Sequence, residues 1–246
     1  MNTLLASLKD FLAKPELQHT SRRTPLGHDE VDFFLKGGLQ HGSLHEVFSV
    51  MSHEAAATGF VAGLAKCVAA DKHVLWIGQD FSAHEWGELS AIGLWELGID
   101  PAHLLLLSVA NASDILRAAN DALSCAALGA VVIEIPGHPK ILDMTASRRL
   151  SLLAAQNQVT TFLLRFAAQP RFNTAHTRWL VRGSPSPQHR ESWGRPFFQV
   201  ELVRNRQGKT GEWMMEWSGD ESGFREPKAN LGAVVSAAVN GSTPAE

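Results

Sequence analysis

The chain holds only two cysteines in 246 residues, Cys67 and Cys125, too far apart for a CxxC redox or zinc motif. Each has apolar neighbours in sequence, so both are expected as buried, reduced thiols of a cytoplasmic protein rather than parts of a disulfide scaffold. No apolar run approaches the ~18–20 residues of a membrane span. The opening stretch MNTLLASLKDFLAKPELQ is interrupted by Lys9, Asp10 and Lys14 and has no small-residue cleavage site, so a signal peptide is not expected. There are no internal repeats. The eleven histidines are scattered, with no HExxH and no Cys/His cluster, and His84-Glu85-Trp86-Gly87-Glu88 lacks the second histidine of a zinc-protease helix. No metal is expected. No GxSxG elbow accompanies any serine, which removes the common hydrolase template.

What is present is a chain that can fold: 45% apolar and 19% charged residues exclude a disordered or fibrous whole, and the length suits one large domain or two small ones. The net charge of −3 conceals a division. Residues 1–144 carry 9 Lys and Arg against 17 Asp and Glu, a balance of −8, whereas residues 145–246 carry 13 against 8, a balance of +5. Eleven of those late cations are arginine. Such a split fits either an anionic partner for the C-terminal half or solvated strand faces.

Residues 1–20 read as an amphipathic helix with Leu4, Leu5, Leu8, Phe11 and Leu12 on one side, and His19 to Thr24 as a polar linker. From Leu44 onward strands and helices alternate: strands at 44–50, 73–78, 104–109, 129–135 and 160–166, and helices at 55–70, 83–97, 114–127 (capped by Ser113) and 144–156. The strands have the apolar character of buried parallel strands, and the crossovers are long enough for right-handed parallel connections. The expectation is an α/β fold with a doubly wound, mostly parallel sheet and helices on both faces. Residues 177–183, 197–206 and 212–217 then read as antiparallel strands extending it, and 219–246 as a mostly disordered tail with a weak helix over 231–239.

A first strand entering a helix is where nucleotide-binding α/β proteins place a phosphate loop, which needs glycines, a lysine and a hydroxyl. Here the connection is Ser49-Val50-Met51-Ser52-His53-Glu54-Ala55-Ala56, without lysine or glycine, and Glu54 brings negative charge to the phosphate position. Gly208-Lys209-Thr210 matches the end of such a loop, but Val203 occupies its leading glycine position and the segment joins two strands, as a hairpin turn does.

Gly37-Gly38-Leu39-Gln40-His41-Gly42-Ser43-Leu44-His45-Glu46-Val47-Phe48 resembles the entry to the ATPase core of RecA recombinases. The likeness continues through Leu97-Gly98-Ile99-Asp100, Val131-Val132-Ile133-Glu134 and Arg204-Asn205-Arg206, and covers roughly residues 25–217. Against that pattern Ala55 and Ala56 replace the phosphate-loop Lys and Thr, Ser49 its first glycine, and Asp80 the catalytic glutamate. Glu134 stands where the metal-associated acid ends its strand. The nucleotide-sensing glutamine has no counterpart at Arg165-Phe166, and the DNA-binding loop shrinks to Ala167–His176. A RecA-like core with a vacant phosphate loop is similar to the ImuA family, whose Gly42–Val47 phrase and Arg204-Asn205-Arg206-Gln207-Gly208 … Trp213 … Trp217 ending this chain shares.

That resemblance implies a RecA-like core over 25–218, preceded by the helix and linker of 1–24 and followed by the tail of 219–246. It implies no catalytic residues beyond the vestigial Asp80 and Glu134, no cofactor, and a degenerate phosphate loop at Ser49, Glu54, Ala55 and Ala56. It further implies a cytoplasmic, nucleoid-engaged scaffold in SOS-induced translesion synthesis. Its partners would be an ImuB-type protein and the error-prone polymerase complex, with RecA and DNA as further candidates. Within 36 residues, Arg178, Trp179, Arg182, Arg190, Trp193, Arg195, Arg204, Arg206, Lys209 and Trp213 supply cations for phosphate and aromatic rings for stacking. Of these, Arg178, Arg182, Arg204, Arg206, Lys209 and Trp213 are the contact candidates, for an acidic protein surface as readily as for DNA; the plain alternative packs the tryptophans in the core and leaves the arginines in water. Two other readings stay open on sequence: a cell-division inhibitor resembling SulA, and a divergent RecA-like NTPase or DNA-binding protein.

Overall fold

The computed structural model describes residues 22–80, 85, 87–186 and 194–227. The helix expected over 1–20, the side chains of Arg190 and Trp193, and the weak helix at 231–239 lie outside the described residues.

The chain enters through a small antiparallel pair, β1 (Arg23–Thr24) and β2 (Leu39–Gln40), bracketing α1 (Asp29–Phe34). Arg23 and Thr24, read from sequence as linker, are therefore ordered. The Asp32 carboxylate accepts from the backbone of Leu26 at 2.7 Å and Gly27 at 2.9 Å, which folds the segment onto α1. Gly38 has φ +114°, and a Cβ there would stand 2.1 Å from the Thr24 carbonyl oxygen, so the turn into β2 admits no side chain.

The main sheet has nine strands: β3 (Leu44–Ser49), β4 (His73–Gln79), β5 (Leu104–Val109), β6 (Leu128–Glu134), β7 (Thr160–Arg165), β8 (Thr177–Ser184), β9 (Phe197–Asn205), β10 (Gly211–Ser218) and β11 (Gly223–Arg225). Their spatial order is β11-β10-β9-β8-β3-β7-β6-β4-β5. Strands β3 to β8 are parallel, and β9, β10 and β11 continue antiparallel from β8. This is the doubly wound sheet with an antiparallel extension that the sequence implied. The start of the expected tail is structured, since β11 pairs with β10.

Helices lie on both faces. α2 (Glu54–Ala69) and α3 (Ala91–Glu96) cover one, and α4 (Ala112–Ala122) and α5 (Met144–Asn157) the other. Under α2 an aromatic cluster forms: Phe60 lies 5.1 Å from Phe224 and 5.7 Å from both Trp179 and Phe198 between ring centroids, and Trp217 lies 4.8 Å from Phe224. The tryptophans therefore face the core, with Trp179 0%, Trp217 1% and Trp213 7% exposed. Asn111 caps α4, its side chain accepting from Asp114 N at 3.0 Å, in place of the expected Ser113. The helix expected over 83–97 is confined, among the described residues, to α3 and Glu85.

Two further expectations are corrected. Cys125 is exposed in the turn before β6; Cys67 is half-buried, donates to the Ser222 carbonyl at 3.3 Å, and burial pushes its thiol up to about 12. Strand β5, expected to be interior, is an edge: among the described residues it pairs only with β4, and Leu105, Leu106 and Leu107 are 50%, 54% and 39% exposed. Its run of leucines resembles that of a buried parallel strand because apolar content records what a strand can bury, not whether a neighbour is present.

Candidate functional site

The segment whose sequence suggested a degenerate phosphate loop runs from the end of β3 to the start of α2. Instead of an open cradle it is a tight turn: His53 N donates to the Val50 carbonyl at 2.9 Å and Ser52 takes φ +67°. The turn is tied to β8, because Val50 N donates to the Val181 carbonyl at 3.2 Å and Gly183 N donates to His53 Nδ1 at 3.1 Å. Ser49 is buried at the strand end. Glu54 opens α2, so a carboxylate of this chain complements the positive end of the helix that a phosphate would otherwise use.

Beside that helix end lies a cleft of about 280 Å³ whose lining includes Glu54, Ala55, Thr58, Glu88, Glu134 and Phe166. Its described lining residues contain three carboxylates and no lysine or arginine. Glu134 ends β6 and accepts from the Trp76 indole at 3.1 Å, and Asp80, past the end of β4, accepts from the Ser108 hydroxyl. Ala55 and Ala56 carry methyl groups at the positions compared on sequence with a phosphate-loop lysine and threonine; Ala56 Cβ lies 3.4 Å from where a Cβ on Gly183 would be.

The arginine set divides. Strands β8 and β9 are neighbours, with Arg178 directly opposite Arg204 and Arg182 opposite Gln199. Alternation along β8, with the register shift between Arg178 and Trp179, places Arg178, Arg182 and Arg204 on the sheet face away from α2, with Glu201, opposite Leu180, between them. Arg206 and Lys209 are exposed in the β9–β10 hairpin, where Gly208-Lys209-Thr210 forms the expected turn. Trp213 packs edge-on against Phe34 at 5.1 Å and offers no stacking surface. Arg178 is 8% exposed and committed within the fold.

What commits Arg178 is a buried ion network that the sequence left unmarked. Glu46, in the middle of β3 and 1% exposed, accepts from Arg178 Nε at 2.7 Å, from Arg165 at 3.4 Å and from Asn173 Nδ2 at 2.7 Å. Phe48, two residues along the same face, lies beneath both guanidiniums, with centroid distances of 5.8 and 5.9 Å. Arg178 also donates to the Arg171 carbonyl at 2.5 Å and to Asn173 Oδ1 at 2.9 Å. Arg165 donates to the carbonyls of Ile135 (3.0 Å) and Gly137. Burial lowers the Arg165 pKa and the neighbouring Glu46 charge opposes that. The available signal was a lone glutamate in an apolar strand, which a parallel sheet tolerates only with cations on adjoining strands.

No protein-family model matches the chain. It is 29% identical over 217 residues to Protein ImuA of Caulobacter vibrioides (strain NA1000 / CB15N), an alignment covering 79% of this chain and 85% of that protein. The same values hold for Protein ImuA of Caulobacter vibrioides (strain ATCC 19089 / CIP 103742 / CB 15).

Proposed function

We propose that the chain, 29% identical to the two ImuA proteins, is a member of the ImuA family and a non-catalytic, RecA-like accessory protein of SOS-induced, error-prone translesion synthesis. In this role it is a scaffold of the damage-induced mutagenesis cassette, bringing together an ImuB-type protein and the error-prone polymerase, with RecA as a second protein partner. The observation that carries the non-catalytic reading is the α2 cleft: three carboxylates face the space a triphosphate would need, and Glu54 already occupies the favourable helix end. Like charge in a cleft raises the cost of binding a polyanion rather than offsetting it.

The scaffold role draws on the opposite edge of the sheet. Strand β5 presents three exposed leucines with no proline or charge among its six residues, and Ile92 and Trp95 of the preceding α3 are 73% and 66% exposed. An apolar strand edge of this kind accepts an added strand from another chain.

Co-purification of the full chain with an ImuB-type partner tests the reading. The complex is expected without nucleotide, and Leu106→Lys is expected to weaken it. ATP turnover abolished by Asp80→Ala or Glu134→Ala would overturn the non-catalytic part. Loss of the gene without change in damage-induced mutation frequency, together with failure to co-purify, would overturn the scaffold.

A further inference from the structure

Between the loop that follows β4 and the edge strand β5 lies a second cavity, of about 240 Å³, that opens into the α2 cleft. Gly87, Glu88, Leu89 and Glu134 line both, so the two form one continuous groove on the α2 face of the sheet. Leu104 packs against the core cluster under α2, and alternation along β5 turns Leu106 and Ser108 to that same face. Trp76 lines the new cavity and its indole holds Glu134 at 3.1 Å. A Cβ at Gly78 would stand 3.9 Å from Glu134 Oε1, so a glycine in β4 keeps the way to that oxygen clear.

One part of the groove is acidic and the other apolar. Glu54, Glu88 and Glu134 line it with no lysine or arginine among its described lining residues, and Asp80 stands beside it, accepting from the Ser108 hydroxyl. Neither Glu54 nor Glu88 has an ion-pair partner among the described residues. No group of acidic residues among the described residues is arranged to hold a metal ion. The apolar part lies at the rim. Leu106 and Leu107 are exposed beside the cavity, and α3, which walls the cleft with Gly93 and Leu94, leaves Ile92 and Trp95 in water. A small cation would leave these side chains uncovered, whereas a polypeptide that carries the cation covers them.

We propose that this groove is a specificity pocket for a partner protein, taking an arginine side chain from an apolar segment laid along β5. The inference rests on the strand-edge docking and the non-catalytic reading given above, and names the chemistry of the segment that docks. A strand added to β5 would run about 4.8 Å from it, so every second side chain falls beside Leu104, Leu106 and Ser108, over the mouth of the cavity. A long cation at that place extends toward Glu88 and Glu134, while apolar residues two places away cover Leu106 and the intervening ones lie on the side of Leu105 and Leu107. Arginine suits the groove better than lysine, since its planar fork donates to two carboxylate oxygens and its weaker hydration makes partial burial less costly. The carboxylates that disfavour a triphosphate are the ones that select this cation.

Fluorescence anisotropy with the full chain tests it, using labelled peptides that alternate valine and threonine around a central arginine, glutamine or glutamate. The arginine peptide is expected to bind, and to bind less tightly as salt is added. The glutamine peptide is expected to bind roughly 10- to 100-fold more weakly, the range of a charge-assisted hydrogen bond, and the glutamate peptide not at all. Glu88→Gln combined with Glu134→Gln should erase the preference for arginine over glutamine, while Leu106→Lys should weaken both peptides. Glu212→Gln, exposed on the other face of β10, is expected to change nothing. The amide in Glu134→Gln can still accept from the Trp76 indole, and unchanged thermal unfolding of each variant separates lost binding from lost fold. ATP turnover, measured on the same preparations, reports separately on the non-catalytic reading. Equal binding of the arginine and glutamine peptides, no binding of the arginine peptide at low salt, or a double variant that keeps the preference would each overturn the proposal. So would a dimer of the full chain in sedimentation that Leu106→Lys dissociates, since the edge would then belong to a second copy.

Discussion

Arg178 and Arg204 stand directly opposite one another on adjoining strands β8 and β9. Like charges in that register destabilise a sheet, and Glu46 on the far side of Arg178 is what makes the arrangement tenable. Glu46→Ala is therefore expected to leave Arg165 and Arg178 buried without a counter-ion and to lower stability by about 3–5 kcal/mol. Urea unfolding measures this directly. Replacing Arg178 by Leu in the same background should restore part of the loss, since the uncompensated charge is the source of the cost. An unchanged midpoint for Glu46→Ala would contradict the account.

A second expectation concerns acid. Burial, then the neighbouring His176, His41 and Arg23, push the fully buried His45 down from 6.5 to about 3, against an opposing hydrogen bond to the Gln40 carbonyl. Burial, then Arg23, Arg206 and Arg204, push His176 down to about 4. Both histidines stay neutral in the fold where the unfolded chain takes up protons, so below pH 6.5 the unfolded state binds more of them. Stability is therefore full above pH 6.5 and falls as pH drops through the window to about 4 for His176 and about 3 for His45, at ~1.4 kcal/mol per pH unit for each. Urea midpoints between neutral pH and pH 4 check the slope. His176→Gln should flatten it by about one histidine.

The parallel strands and the helices between them were legible because each must bury an apolar face, and that periodicity is written into the residues. The absence of a lysine and a hydroxyl at 55 and 56 was legible for a chemical reason: an alanine side chain offers phosphate neither charge nor hydrogen bond. The position of β5 was not, since an edge and an interior strand can share the same leucines and differ only in what pairs with them. The Glu46 network was hidden for a related reason. Glu46 lies more than a hundred residues before Arg165 and Arg178, and only the β7-β3-β8 order makes them neighbours. Arg178 and Trp213 looked like surface contacts because charge and aromaticity were counted without a face. The strand alternation assigns Trp213 to the core.

Two glycines of α2 are expected to respond oppositely to the same change. At Gly63 a Cβ would meet Phe224 Cζ at 2.8 Å and Trp217 Cε3 at 2.9 Å, inside the aromatic cluster where neither ring can withdraw. At Gly59 the nearest atom is Phe198 Cζ at 3.6 Å, an ordinary contact. Gly59→Ala should raise stability by roughly 0.5–1 kcal/mol through the loss of backbone freedom in the unfolded chain. Gly63→Ala carries the same gain but adds overpacking of about 1–3 kcal/mol, so its net effect is destabilising. Thermal unfolding of the two variants reads the sign of each.

Introducing phosphate-loop residues offers a sharper test of the proposed lack of nucleotide binding. If Ala55 and Ala56 alone account for it, Ala55→Lys with Ala56→Thr should recover binding of ATP with magnesium. The geometry predicts otherwise. The Val50–His53 turn is closed by its own hydrogen bond and pinned to Val181 and Gly183 of β8, so the Val50 and His53 N–H groups are turned to the protein instead of a ligand. Glu54 complements the helix end, and Glu88 and Glu134 share the cleft. A new lysine there would pair with these carboxylates before it met a phosphate. Titration calorimetry should show no heat of ATP binding for the double substitution. Adding Glu54→Gly and His53→Gly, which removes the charge and releases the turn, is the change expected to permit weak binding. Recovery by the double substitution alone would show that two side chains, not the loop's conformation, had closed the site.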